Sequence, residues 1–113
     1  MSKTLFEQIK EAVLGKKYEL SFAFVSAKKI QEFNKIYRQI NKPTDILSFP
    51  LSKDSGEMLI CKSEAKKEMI KFGYKFEPFI IFLYIHGLVH LKGYDHGAKM
   101  EKIEEKFRKK FGV

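Results

Sequence analysis

The residues best suited to chemistry are three histidines that share one short segment, and the chain contains no others. The segment reads His86-Gly-Leu-Val-His90-Leu-Lys-Gly93-Tyr-Asp-His96. A helix would place His86 and His90 on one face, about 6 Å apart along its axis, where both imidazoles can reach one ion. Gly93 can end that helix because glycine tolerates positive φ, and the returning chain can bring His96 to the same ion. Three protein nitrogens leave a fourth position open for water, as in catalytic zinc sites.

The spacing H-x-x-x-H-x-x-G-x-x-H is also typical of the metzincin metallopeptidases. In those enzymes a glutamate directly after the first histidine acts as general base. Here that position is Gly87, which can neither take nor give a proton. The sequence therefore predicts a divalent-metal site on a zincin-like helix, but without that peptidase mechanism. Histidines that merely pack in a core are the simpler alternative, and the grouping of all three in one segment counts against it.

The helix that carries His86 and His90 is predicted to begin near Pro78, which suits a first helical turn, and to end at Lys92. Residues 79–85 are apolar around the whole circumference, which predicts burial on all sides. Four other helices are predicted. The first covers residues 5–14, with Thr4 as its cap and Gly15 at its end, and the second is capped by Ser26 and broken at residues 41–43. The third covers residues 64–72, and the last has Met100, Ile103 and Phe107 on one face and charged residues on the other. The predicted strands are residues 18–24, residues 45–49, stopped by Pro50, and residues 57–61, with 51–55 as a polar loop.

The resulting order, α-β-α-β-β-α-α-α, is neither a βαβ array nor a helical bundle. It predicts an α+β fold with a single small mixed sheet packed with helices. The length of 113 residues predicts one domain over residues 1–113.

The charge balance predicts a basic surface. The net charge is +8, carried by twenty lysines and only two arginines, and such a surface attracts RNA, DNA or acidic membrane, although solubility alone would also explain it. The single cysteine, Cys61, excludes a disulfide framework and is expected to be buried at the end of a strand. Charged residues interrupt the first apolar positions and the longest apolar run is too short to span a bilayer, so we expect a cytoplasmic protein without a membrane partner.

Taken together, residues 86–96 resemble the H-G-x-x-H-L-x-G-Y-D-H signature of the YbeY endoribonucleases, bacterial factors of ribosomal RNA maturation. A second block, Asn34-Lys-Ile-Tyr37-Arg38 followed by Pro-Thr-Asp-Ile-Leu-Ser-Phe-Pro at 43–50, is similar to the N-x-x-Y-R and T-D-V-L-S-F-P blocks of that family. Residues 56–61 are similar to its G-D-I-x-I strand, with Glu57 in place of Asp. The resemblance extends over about residues 18–107, and the 51–55 segment is shorter than in most members.

The resemblance implies a single-strand-specific, metal-dependent endoribonuclease that acts in small-subunit ribosomal RNA 3′-end maturation and in ribosome quality control. Carried over by position, it implies that His86, His90 and His96 bind one Zn²⁺ per chain, with other divalent metals as alternatives, and that Arg38 faces the metal cleft. Ribosomal RNA and ribosomal particles are the implied partners, with a ribosomal protein or a GTPase as further candidates.

The expected catalytic residues are thus Arg38 and His86. With all three histidines as ligands, none is left for a two-histidine acid–base route, so metal-activated water is the expected base. A guanidinium can contact two oxygens of a phosphate at once, and Arg38 is the only arginine outside the C-terminal run. Without the resemblance, a surface role or an ion pair with Asp45 would explain Arg38 equally well.

Three further residues are expected near the site. Asp95 could hydrogen-bond a ligand imidazole or cap the last helix. Asp45 and Ser48 are expected to shape the cleft floor. Two alternative functions stay open at this point: a metal-dependent hydrolase of another class, such as a peptidase, and a non-enzymatic ribosome assembly factor with a structural metal.

Overall fold

The computed structural model describes residues 3–113, and in this part of the chain five helices and three strands follow one another. The helices are α1 (Leu5–Leu14), α2 (Ala27–Arg38), α3 (Lys62–Phe72), α4 (Phe76–Leu91) and α5 (Ala98–Phe111), and the strands are β1 (Glu19–Phe24), β2 (Ile46–Ser52) and β3 (Ser55–Ile60). The predicted order of elements is confirmed. So are the caps of the first two helices, because the Thr4 and Ser26 side chains accept hydrogen bonds from the Glu7 and Lys29 amides.

The three strands form one mixed sheet in the order β1-β3-β2, as the sequence predicts. β3 is the central strand, parallel to β1 and antiparallel to β2. Because β2 and β3 are consecutive and antiparallel, they form a hairpin, whereas the parallel pair needs the crossover through α2. This topology leaves β2 at an edge of the sheet.

The predicted stop at Pro50 and the predicted loop over residues 51–55 are wrong. β2 continues through Pro50 to Ser52, and β3 already begins at Ser55. Pro50 is tolerated because β2 is an edge strand, and the pairing register shifts between Pro50 and Ser52. The connection is therefore a tight turn at residues 53–54.

Two helix boundaries also differ from the prediction. α2 ends at Arg38 and not near Ile40, because Gln39 adopts a left-handed conformation with φ 56°. The Gln39 and Ile40 amides then donate to carbonyls of the last turn, including that of Asn34. α3 begins at Lys62, directly after Cys61, which is 1% exposed at the end of β3 as predicted.

The sheet separates two hydrophobic clusters. On the α2 side the buried members are Ile30, Leu47, Leu59 and Cys61. On the other side the larger cluster includes Met58, Ile60 and most of α4, with residues of α1, α3 and α5 around it. Alternate residues of β3 thus pack on opposite faces, as the period of a strand requires.

Helix α4 is the central element of the larger cluster. Within residues 79–85 all side chains are buried except Phe82, which is partly exposed, so the prediction of burial on all sides fails only there. Two long-range hydrogen bonds fix the helix to α1, from Tyr84 Oη to the Phe6 carbonyl (3.2 Å) and from Lys92 Nζ to the Val13 carbonyl (2.9 Å). α4 therefore provides a rigid support for the histidines near its end.

Among residues 3–113, no helix combines the length and the apolar character needed to cross a membrane.

Candidate functional site

The three histidines lie together in one cleft. His86 and His90 project from the last turns of α4, and His96 is held by the segment that connects α4 to α5. Gly93 (φ 110°) and Gly97 (φ 156°) flank this segment with backbone angles that favour glycine, and they let the chain turn back. The centroid of the His96 ring is 5.4 Å from that of His86 and 6.1 Å from that of His90. The three rings thus line one cleft, with His96 nearer to His86 than to His90.

Two of the three rings are fixed through Nδ1. His86 Nδ1 lies 2.7 Å from Glu104 Oε1, and His90 Nδ1 lies 3.2 Å from the Tyr94 carbonyl oxygen. A carbonyl oxygen can only accept, so His90 donates from Nδ1 in this bond. In both residues the nitrogen left free is Nε2. This is the usual arrangement of metal-binding histidines, whose second nitrogen is bound to a carboxylate or a backbone carbonyl.

The opposite wall of the cleft comes from α2 and β2. Arg38, at the end of α2, and Thr44, Asp45 and Ser48 line the same volume of about 430 Å³ as the histidines. The α2–β2 connection is held by Asn34, which is 2% exposed and donates from Nδ2 to the Lys42 carbonyl at 2.9 Å. Asn34 therefore helps to fix the end of α2, so that Arg38 faces the histidines at the edge of the sheet.

Whether the donor set fits a metal can be judged from the ring separations. Three imidazoles that share one zinc at about 2.0–2.1 Å have centroids about 5 Å apart. The separation of His86 and His96 is close to that value, whereas His90 and His96 are about 1 Å wider. As the side chains stand, no three His, Cys, Asp or Glu residues within the described chain form a group that could hold a metal ion. The chemistry of the donors fits zinc, whereas the spacing of the three rings as they stand does not form a complete ligand set.

The roles expected of Asp95, and the ion pair that was the alternative explanation of Arg38, are not observed. Asp95 is exposed, its carboxylate has no hydrogen-bond partner within residues 3–113, and the N-cap residue of α5 is Gly97, without a side-chain cap. It therefore has neither of the two roles expected of it. Arg38 is exposed and forms no ion pair with Asp45 within residues 3–113, so its guanidinium is available to a ligand in the cleft.

Gly87 lies on the face of α4 that meets the sheet and not in the cleft. A Cβ at this position would lie 2.7 Å from Met58 Cε and 2.9 Å from Ile46 Cδ1. No side chain fits there without a shift of these neighbours. A side chain at position 87, where metzincins have their glutamate base, would thus face Met58 and Ile46 and not the cleft.

Asp45 lines the cleft, and its surroundings raise the pKa of its carboxyl group. Burial raises the pKa of Asp45 above its usual value, and the charge of Glu68 raises it further. Hydrogen bonds from the backbone amides and Thr44 act in the opposite direction and are weaker.

The interpretation of the sequence missed Glu104. The buried residues of α5 are Met100, Glu104 and Phe107, so the assignment of its charges to the outer face is wrong for this residue. The signal was present in the spacing, because positions 100, 104 and 107 lie on one helical face. Glu104 and Arg108 also line a second cavity, of about 530 Å³, which adjoins His86 and His96.

Comparison with known proteins identifies the family. The family model described as endoribonuclease YbeY matches residues 1–112. A protein named endoribonuclease YbeY from Staphylococcus carnosus is 38% identical, and the match covers 86% of this chain and 69% of the relative. A protein of the same name from Acholeplasma laidlawii is 37% identical, and the match covers 89% of this chain and 73% of the relative. A protein of the same name from Clostridioides difficile is 31% identical over all of this chain and 90% of its own.

The fold is similar to a solved one. A solution structure of a Thermotoga maritima protein superimposes with a TM-score of 0.67 and 30% sequence identity. The match covers 94% of this chain and 76% of the other.

Proposed function

This chain belongs to the endoribonuclease YbeY family, whose members are hydrolases acting on RNA, and we propose that it is a single-strand-specific, metal-dependent endoribonuclease of ribosomal RNA. The expected substrate is the 3′ end of the small-subunit RNA, within ribosomal particles in the cytoplasm. We extend the proposal to ribosome quality control and to a ribosomal protein or GTPase that presents the substrate. The basic charge of +8 suits such partners.

The observation that carries this proposal is the convergence of three histidines and one arginine on a single cleft. His86, His90 and His96 come from one wall and Arg38 from the other. The Nδ1 partners of His86 and His90 leave Nε2 as the free nitrogen of each ring. These residues would hold one Zn²⁺ or another divalent ion. When bound, the ion would supply a Lewis acid and lower the pKa of water to about 7.

Arg38 supports the proposal from the substrate side. Negative charge develops on the phosphate oxygens during cleavage, and a guanidinium can donate to two of them. The exposed Arg38 side chain is not held by an ion pair within residues 3–113 and lines the cleft. We therefore assign it the role of binding the scissile phosphate and stabilising its developing charge.

A peptidase of the metzincin type is the weaker candidate. Its general base would have to occupy position 87, and Gly87 faces Met58 and Ile46. A casein digestion assay with zinc-loaded protein should therefore show no activity.

The decisive experiment combines elemental analysis of the purified protein with cleavage of a ribosomal RNA precursor, with and without chelator. We expect about one metal ion per chain and cleavage that stops on chelation. Metal-free preparations that cleave at the full rate would contradict the proposal.

Arg38→Ala should lower the rate of cleavage by about 10²–10³-fold, since one donor to the developing charge is lost. Metal content should not change, because Arg38 is not a ligand. Arg38→Lys should recover only part of the rate, since an ammonium cannot replace the two-pronged contact. Lys35→Ala is the matched control: it removes an exposed positive charge from the same helix, outside the residues that line the cleft. If Arg38→Ala and Lys35→Ala cleaved RNA at equal rates, Arg38 would not bind the scissile phosphate as proposed.

A further inference from the structure

We propose that Glu104 is a positioning residue that holds His86 with its proton on Nδ1, so that Nε2 is the unprotonated nitrogen available to a metal. The inference deepens the proposed function and rests on it for the use made of that nitrogen. The hydrogen bond itself does not depend on any metal.

The contact is short and enclosed. Glu104 Oε1 lies 2.7 Å from His86 Nδ1, at the low end of the range for a bond between nitrogen and a charged oxygen. Glu104 is 7% exposed, between Met100 and Phe107, which are 1% and 9% exposed. The carboxylate is therefore largely shielded from solvent at the contact between α4 and α5, where it borders the cavity beside His86. It is one of the two polar residues that the structure buries within residues 3–113, the other being Asn34.

A buried carboxylate needs a second partner to offset its loss of hydration. Arg108, one helical turn further on, places Nη1 at 4.0 Å from the same Oε1 atom. Its guanidinium also lies 5.3 Å from the centre of the Phe82 ring. Arg108 thus places a positive charge near the carboxylate, and its own guanidinium lies over the Phe82 ring of α4.

Neutral histidine can carry its proton on either ring nitrogen, and the hydrogen bond made by one nitrogen decides which. An ionised carboxylate only accepts, so it favours the proton on Nδ1 of His86. The backbone carbonyl of Tyr94 does the same for His90 at the longer distance of 3.2 Å. His86 is therefore the ring whose tautomer depends on a side chain, and a substitution can test it.

The first test needs no substitution. In the metal-free full chain, at a pH where the rings are neutral, two-bond ¹H–¹⁵N correlation spectra report which nitrogen of each histidine is protonated. We expect His86 protonated on Nδ1. A proton on Nε2 of His86 would overturn the inference.

The second test measures the affinity for Zn²⁺ alone by competition with a chromophoric chelator. Glu104→Ala should weaken binding by about 10–100-fold, which is the usual effect of removing a partner of a ligand histidine. Glu104→Gln should recover part of the affinity, because its amide oxygen can still accept from Nδ1. Glu105→Ala is the matched control: it removes the neighbouring carboxylate, which pairs with Lys109 and has a 53% exposed side chain. Affinities for Glu104→Ala equal to those for Glu105→Ala would overturn the inference.

The two proposals fail in different ways. If the parental chain bound no Zn²⁺, the metal-dependent function would fail, and the spectra would still decide the role of Glu104. If Zn²⁺ bound equally well to all variants, the function would stand and the positioning role would not. Should Glu104→Ala fail to fold, the parental spectra and the Glu104→Gln affinity decide the inference.

Discussion

At the scale of single residues, the Asp45 carboxyl group combines a place in the cleft with an unfavourable environment for its charge. Burial and the nearby Glu68 raise its pKa, so the folded protein binds this proton more tightly than the unfolded chain does. Ionised Asp45 therefore destabilises the fold. The penalty develops as the pH rises from about 3.8, the unfolded value, through the raised folded value, and it is complete above that value.

Asp45→Asn should therefore raise the melting temperature at pH 7, because the amide keeps the hydrogen-bond acceptor and removes the charge. The gain should shrink as the pH falls and disappear below about 3.8, where the parental carboxyl group is neutral in both states. Thermal unfolding in the presence of chelator, between pH 3.5 and 8, measures the difference. Asp54→Asn, at an exposed position in the β2–β3 turn, is the control and should show no such trend. A constant difference for Asp45→Asn at all pH values would contradict this assignment.

At the scale of elements, the approach of α4 to the sheet depends on Gly87. Helix propensity alone predicts that alanine at this position stabilises the protein by about 1 kcal/mol. A new Cβ would lie 2.7 Å from Met58 Cε and 2.9 Å from Ile46 Cδ1, so both side-chain ends would have to shift. We expect the opposite effect because Met58 is fully buried and Ile46 packs against the same core. Overpacking of this kind costs about 1–3 kcal/mol.

Gly87→Ala should thus lower the free energy of unfolding by about 1 kcal/mol, as measured by urea denaturation. The control is the double variant Met58→Val/Gly87→Ala, in which the shorter side chain makes room for the new methyl group. Its destabilisation should be smaller than the sum of the two single effects. Additive effects, or a stabilised Gly87→Ala variant, would show that α4 and β3 can move apart without cost.

At the scale of the whole molecule, 22 basic residues against 14 acidic ones give the chain a field that attracts RNA before any specific contact forms. Binding to a phosphate backbone releases counterions, so its affinity depends steeply on salt. The proposed contact of Arg38 with a phosphate should contribute to this dependence.

The dissociation constant for a short, non-cleavable single-stranded RNA should accordingly rise at least about tenfold between 50 and 200 mM NaCl, as followed by fluorescence anisotropy. Arg38→Ala should reduce the slope of log Kd against log [NaCl] by about 0.7, the value for one contact to a single strand. A morpholino oligomer of the same sequence, which has an uncharged backbone, should show almost no dependence. A flat response with RNA would mean that the basic surface serves solubility alone.

The sequence alone determined the features that depend on neighbours along the chain. The i, i+4 spacing of His86 and His90, the helix end at Gly93 and the caps at Thr4 and Ser26 are local, because a helix fixes the relation of residues within one or two turns. The order of elements followed from the same short-range patterns. Two blocks of residues, around Arg38 and around His86, also sufficed to place the chain in its family.

Only the tertiary structure decided which faces meet. The spacing placed Glu104 on the same helical face as Met100 and Phe107, but only the packing of α5 on α4 showed that His86 is its partner. Pro50 stayed within β2 because that strand lies at the sheet edge, where a missing amide leaves no gap in the pairing. Arg38 and the histidines line one cleft although they are about fifty positions apart in the sequence. The connection from α2 to β2, which Asn34 fixes through the Lys42 carbonyl, runs along the same sheet edge and brings Arg38 there. Such contacts depend on the packing of whole elements and not on local preference.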